Sequence, residues 1–164
     1  MKRFFFLIVI LFTVSIFATY SVSHLGIFYF KRGDYAKAEV CYLKSLRIRK
    51  FVHGENHLDY AESLNNLGLL YSEMGDYAKA ETYSLESLRI KKSVLSENNP
   101  SYALSLNNLG LLYFRKGDYA KAETYYLESL RIYKSVLGEN HPDYARPLNN
   151  LGLLYFRKGD YAKA

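Results

Sequence analysis

The hexapeptide Gly-Asp-Tyr-Ala-Lys-Ala begins at Gly33, Gly75, Gly117 and Gly159, always 42 residues apart. A fixed period of this length constrains the fold more than any single residue does. It means one helical unit copied along the chain, each copy burying its apolar face against the next. Such a chain builds a surface rather than a catalytic pocket.

The second copy shows the form of the unit. Leu64, Leu67, Leu70 and Tyr71 recur at helical spacing, so one stripe of a short helix is apolar. That helix should stop at Met74-Gly75-Asp76, where Gly supplies a left-handed turn and Asp can cap the second helix. This second helix is expected from about Tyr77 to Val94, with Tyr77, Ala80, Ser84 and Leu88 on one side and Lys79, Glu81, Arg89 and Lys92 largely on the other. The next turn places Asn99 before Pro100, which reads as a helix cap and first helical residue; its counterparts run from Gly54 to Leu58 and from Gly138 to Pro142. Each unit is therefore helix, tight turn, helix, and the chain is all-α.

Gly68, Gly110 and Gly152 fall inside the first helices, where Gly costs about 1 kcal/mol against Ala. Repeated toleration of that cost implies close helix contact, expected against the second helix at Ala80 and Ala122. Leu67-Gly68, Tyr71, Ala80 and Ser87 resemble the tetratricopeptide repeat signature, as do Leu109-Gly110, Tyr113, Ala122 and Ser129. The 42-residue length, with Leu64-Asn65-Asn66-Leu67-Gly68 and Leu137-Gly138-Glu139-Asn140-His141-Pro142, is similar to the kinesin-light-chain type. The resemblance covers about residues 19–164 and implies helix-turn-helix repeats stacked in a right-handed superhelix.

Residues 19–60, 61–102 and 103–144 make three full repeats, and 145–164 make a partial fourth that stops after opening its second helix. Leu148, Leu151 and Tyr155 are thereby left without a helical partner, and no polar capping helix is present, so a fragment, a truncated frame or one end of a longer array is expected. Pro147 should interrupt hydrogen bonding in the helix begun near Pro142. At the other end, Met1-Lys2-Arg3 precedes an apolar run from Phe4 to Ala18 broken only by Thr13 and Ser15. Residues 1–18 read as a cleaved signal or as a retained membrane anchor, with a mis-assigned start as the third alternative. The chain is accordingly expected to be exported or membrane-tethered, the alternative being cytoplasmic.

Cys41 is the one cysteine, so no internal disulfide forms, and a buried structural thiol is the expectation. The net charge of +6 is dispersed among acidic residues without a basic stripe, which argues against nucleic acid as a partner.

In stacked helix pairs the first helices line the concave side. Residues off the packing stripe then face the groove: Asn65, Leu69, Ser72 and Glu73 in copy two, and Asn107, Leu111, Phe114 and Arg115 in copy three. Copy four supplies Asn149, Leu153, Phe156 and Arg157, and copy one supplies Ser23, Ile27, Phe30 and Lys31. Asn66, Asn108 and Asn150 lie beside them. Asn offers both donors and acceptors, so a column of them can pair with the backbone of an extended peptide. The family resemblance implies the same use of first-helix Asn and basic residues. Lys31, Arg115 and Arg157 would favour acidic ligands, Phe30, Phe114 and Phe156 would add apolar contact, and Glu73 breaks the basic pattern. The alternative is structural: Asn can cap or bridge neighbouring helices, and faithful duplication carries every residue along. Segments 75–91 and 117–133 differ only at Ser84/Tyr126 and Lys91/Tyr133.

Catalytic constellations are missing from the sequence. His53 and His57 are separated by the turn Gly54-Glu55-Asn56, and a third ligand is lacking, so no metal and no cofactor is expected. No nucleophile elbow and no phosphate-cradling loop occurs. The expected function is a protein-binding scaffold that holds a partner peptide or segment along its concave groove, not an enzyme. The alternative is the repeat arm of a larger regulatory or signalling enzyme. Self-association through the uncapped fourth repeat and membrane association through residues 4–18 are further expectations.

Overall fold

The computed structural model describes residues 21–164, and among these every regular element is helical. Helix α1 occupies residues 21–31. After it come α2 (Tyr35–His53), α3 (Leu58–Glu73), α4 (Tyr77–Val94), α5 (Pro100–Arg115), α6 (Tyr119–Leu137) and α7 (Ala145–Lys158), with a single 3-10 turn at Pro142–Tyr144 before α7. The signal or anchor expected over residues 1–18 lies outside the described residues. No helix among the described residues is long and apolar enough to cross a membrane.

The expected punctuation is observed. Gly33, Gly75 and Gly117 have φ of 74–80°, a left-handed conformation that side chains resist. The Asp after each of them caps the second helix. Asp34, Asp76 and Asp118 accept the amides of Lys37, Lys79 and Lys121 at 3.3, 3.2 and 3.1 Å. Helix α4 spans Tyr77–Val94 as anticipated, and Asn99 caps α5 with Pro100 in its first turn.

Two expectations change. The sequence places Pro147 inside a helix starting near Pro142, but the chain makes a 3-10 turn over Pro142–Tyr144 and starts α7 only at Ala145. Pro147 is then the third residue of α7, in the first turn, where a backbone N–H has no intrahelical partner to lose. The glycine contacts also move by one turn. A Cβ on Gly68 would lie 2.2 Å from Ser84 Oγ, with the Ala80 carbonyl at 3.3 Å, and one on Gly110 would lie 2.5 Å from Cδ1 of Tyr126. Gly26 faces Tyr42 in the same way, at 2.6 Å. The close approach is therefore to the residue one turn beyond the alanine, because α-helical side chains four apart share a face. Ala38, Ala80 and Ala122 are themselves fully buried.

One apolar core runs the length of the array, through Tyr42, Leu67, Leu70, Tyr71, Leu109, Leu112, Tyr113, Tyr126, Leu151 and Leu154. Within repeats, Ser87 Oγ donates to the Ala61 carbonyl and Ser129 Oγ to the Ala103 carbonyl (2.7 and 2.8 Å), tying second helix to first. First helices of successive repeats also touch, α3 on α5 and α5 on α7, and the second helices have no comparable contact among the described residues. The first helices therefore sit on the crowded, inner side of the stack.

The first-helix face as a candidate interaction surface

Each joint between repeats is built from the same polar parts. Tyr71, Tyr113 and Tyr155 of the first helices donate their hydroxyls to Glu39, Glu81 and Glu123 of the preceding second helices, at 2.5, 2.7 and 2.9 Å. Glu81 and Glu123 also hold Lys116 and Lys158, the latter at 2.8 Å. The lysine hydrogen bond, with that of the tyrosine second, keeps each of these two carboxyls below the usual range. Burial first, and then the acidic partner, raises Tyr71 and Tyr113. Glu81, expected on the outer side of α4, is thus part of the joint. Tyr71 and Tyr113 in turn stack on Tyr83 and Tyr125, with ring centroids 5.5 and 5.4 Å apart.

The asparagines bridge repeats. Asn108 Nδ2 donates to Asn65 Oδ1 at 3.1 Å, and Asn150 Nδ2 donates to Asn107 Oδ1 at 2.9 Å. Partners are 43 residues apart, one more than the period, so each rung joins the first Asn of one copy to the second Asn of the next. Asn107 is buried, Asn65, Asn66, Asn108 and Asn150 are half-buried, and Asn149 is exposed. The bridging role that the sequence left open is thus present in four of the six. Each rung uses one donor and one acceptor of the facing amides, which leaves Oδ1 of Asn108 and Asn150 and Nδ2 of Asn65 and Asn107 uninvolved in it.

The basic residues divide. Arg115 Nη2 pairs with Glu73 Oε1 at 2.7 Å, so the glutamate that broke the basic pattern neutralises its neighbour in the next copy. Arg157 is exposed and makes no ion pair among the described residues. Phe114 is half-buried against Tyr119, with centroids 5.6 Å apart, whereas Phe156 is 59% exposed and Leu153 is 47% exposed. Ser72, which stands where the other copies have Phe, is buried, and its hydroxyl has no hydrogen-bond partner among the described residues. The predicted site residues therefore all belong to the first helices α3, α5 and α7. Those of copies two and three are largely engaged in holding these helices together, and those of copy four are the most available.

Other groups escaped sequence reading. Lys91 is buried, and its ammonium donates to Ser105 Oγ at 2.9 Å and to the Ser101 carbonyl at 3.3 Å. Burial holds this lysine below its usual range. At the corresponding position Arg49 donates to the Asp59 carbonyl at 2.7 Å and to Ser63 Oγ at 3.1 Å. Copy three has Tyr133 there, facing a register position at which Pro147 replaces the serine. The cationic donors thus accompany the hydroxyl acceptors. The thiol of Cys41 is buried as expected, and burial pushes it up. His53 and His57, which no helical spacing brings together, stack at 4.4 Å between ring centroids.

Comparison with known proteins agrees with this architecture. A family model described as tetratricopeptide repeat matches residues 15–93 and 101–164. The crystal structure of BtubC (BKLC) from P. vanneervenii is 29% identical, with a TM-score of 0.79 over 89% of this chain and 58% of that one. A Podosopora anserina chain of kinesin-light-chain type with nearly identical TPR-like repeats is 20% identical, with a TM-score of 0.77 over 85% of this chain and 66% of that one. Pseudomonas aeruginosa pilF is 22% identical, with a TM-score of 0.68 over 91% of this chain and 57% of that one. The last two, at such identities, speak to the fold alone. The chain spans less than two thirds of the length of each of these structures. No curated protein matches it.

Proposed function

This chain belongs to the tetratricopeptide repeat family, whose arrays generally mediate protein–protein interaction, and on that footing we propose that its first-helix face receives an extended segment of a partner protein. The observation that carries this reading is the pair of asparagine rungs, Asn108 to Asn65 and Asn150 to Asn107. Each rung fixes two amides across a joint, and the half-buried Asn65, Asn108 and Asn150 keep a donor or an acceptor for a peptide backbone. Fixing them beforehand lowers the ordering cost that binding would otherwise incur. Arg157, Phe156 and Asn149 then set the preference at one end, for an acidic residue beside an apolar one. Arg115, already paired with Glu73, contributes less net charge than the sequence implied.

Peptide display against the full chain, with fluorescence anisotropy on the selected peptides, tests this. Selected sequences should be enriched in Asp and Glu, and Asn149→Ala with Arg157→Ala should weaken them about tenfold while leaving the melting temperature in place, because both side chains are exposed. Unchanged affinity in that double variant would remove the groove assignment.

A second reading, association of two copies, is favoured by α7. Leu127, Leu148 and Leu153 are 46%, 48% and 47% exposed on neighbouring helices. Among the described residues only the Ala164 carbonyl, at 3.3 Å, lies near a Cβ placed on Gly152, whereas Gly26, Gly68 and Gly110 are covered by side chains. An apolar face of this kind marks an interaction surface. Light scattering across a concentration series should show mass rising towards a dimer, and Leu148→Glu with Leu153→Glu should abolish the rise. A strict monomer at every concentration would end this reading.

A further inference from the structure

We infer that His53, His57 and Asp59 form a surface site for one divalent transition-metal ion, with Zn2+ the best match to the donor set. The three come from consecutive parts of one turn: His53 ends α2, His57 caps α3, and Asp59 lies in the first turn of α3. One donor atom of each lies within 4.8 Å of the other two. His53 Nε2 is 3.2 Å from Asp59 Oδ2, and His57 Nδ1 is 3.5 Å from the same oxygen. Zn2+ binds such ligands at about 2.0–2.2 Å, so tetrahedral donors stand about 3.4 Å apart. The separations seen here bracket that value.

Donor chemistry selects the ion class. Two imidazole nitrogens with one carboxylate oxygen suit Zn2+ and its transition-metal neighbours, whereas Mg2+ and Ca2+ favour all-oxygen shells. The turn that carries the donors is held from both sides. Gly54 takes φ 83° with its amide on the Lys50 carbonyl at 3.0 Å, and Arg49 grips the Asp59 carbonyl at 2.7 Å. His57 Nδ1 accepts the Asp59 amide at 3.2 Å, a weak cap that an ion bound at the same nitrogen would replace. The site is open to solvent, which supplies the remaining coordination positions.

The protein contains its own control. Copy three makes the same turn, with Gly138 at φ 81° and His141 Nδ1 accepting the Asp143 amide at 3.2 Å. There the position of His53 is occupied by Leu137, and in copy two by Leu95. Capping therefore accounts for a histidine at 57 and 141, but not for the one at 53. The added imidazole converts a capped turn into a three-donor cluster.

Titration of the untagged full chain with ZnCl2, monitored calorimetrically, tests the assignment. The native chain should bind one ion. His53→Leu, which installs the residue that copies two and three carry, should weaken binding at least about a hundredfold, beyond what loss of an orienting partner alone costs. Leu137→His should raise the stoichiometry from one ion to two. If His53→Leu fails to fold by circular dichroism, His57→Asn takes its place, since Asn99 caps the equivalent helix in copy two. No binding by the native chain, or undiminished binding after loss of either histidine, would overturn the site.

Discussion

Gly110→Ala is expected to lower the melting temperature, although it replaces glycine with the best helix former. In an exposed helix the change would gain about 1 kcal/mol. Here the new methyl would stand 2.5 Å from Cδ1 and 2.6 Å from Cε1 of Tyr126, a ring that is 1% exposed and has nowhere to swing. Overpacking of this kind costs about 1–3 kcal/mol, so the strain should outweigh the propensity gain. Tyr126→Ala alone should be worse, by about 3–5 kcal/mol, because it empties a filled core position. In the Tyr126→Ala background the sign of Gly110→Ala should reverse and the alanine should stabilise. Gly152→Ala, which meets only the Ala164 carbonyl at 3.3 Å, should be near neutral. Denaturant unfolding of the native chain, the two single variants and the double variant decides the matter. The same sign in both backgrounds would mean that Tyr126 is not what the glycine accommodates.

Lys91→Met should stabilise the array or leave it unchanged, the gain reaching up to about 4 kcal/mol if the buried charge behaves as buried ions do elsewhere. The native ammonium is satisfied by Ser105 and Ser101, but burial still opposes its charge. Methionine keeps most of the volume, and Ser105 retains its bond to the Ser101 carbonyl at 3.4 Å. The pH dependence gives an independent reading. A lysine whose folded pKa is lowered sheds its proton before the unfolded chain does. Between the folded value and the ordinary 10.5, the unfolded state therefore holds more protons, and stability rises with pH through that window. This contribution should appear as a difference between the native protein and Lys91→Met across the same pH series, because the raised tyrosines, Tyr71 and Tyr113 among them, lower the stability of both as pH climbs past 10. A lower melting temperature for the variant, with no pH-dependent difference from the native protein, would show that the hydrogen bonds outweigh the burial cost.

Much of the architecture is legible because its signals are local. The Asp caps, the positive-φ glycines and the Asn99-Pro100 start depend on residues within one turn of each other, and α4 ends where its pattern ends. The joints are less legible. A period of 42 invites comparison of equivalent positions, but the asparagine rungs connect residues 43 apart, since neighbouring first helices are offset by one residue where they touch. Glu81 and Lys91 look like outward charges on an isolated helix, and only the next repeat makes them interfacial. His53 and His57 face each other because Gly54 reverses the chain with φ 83°, which no helical wheel represents. Pro147 conflicts only with a helix begun at Pro142, a start that the 3-10 turn moves to Ala145.

The tyrosine–glutamate and asparagine rungs join nearest-neighbour repeats only, at intervals of 32 and 43 residues. Inserting or deleting one whole 42-residue unit by unequal recombination would therefore add or remove one rung of each kind and leave the remaining joints as they are. The length of such a gene can change in whole-unit steps while each intermediate protein still folds. The near identity of residues 75–91 and 117–133 is the kind of trace that such a step leaves behind.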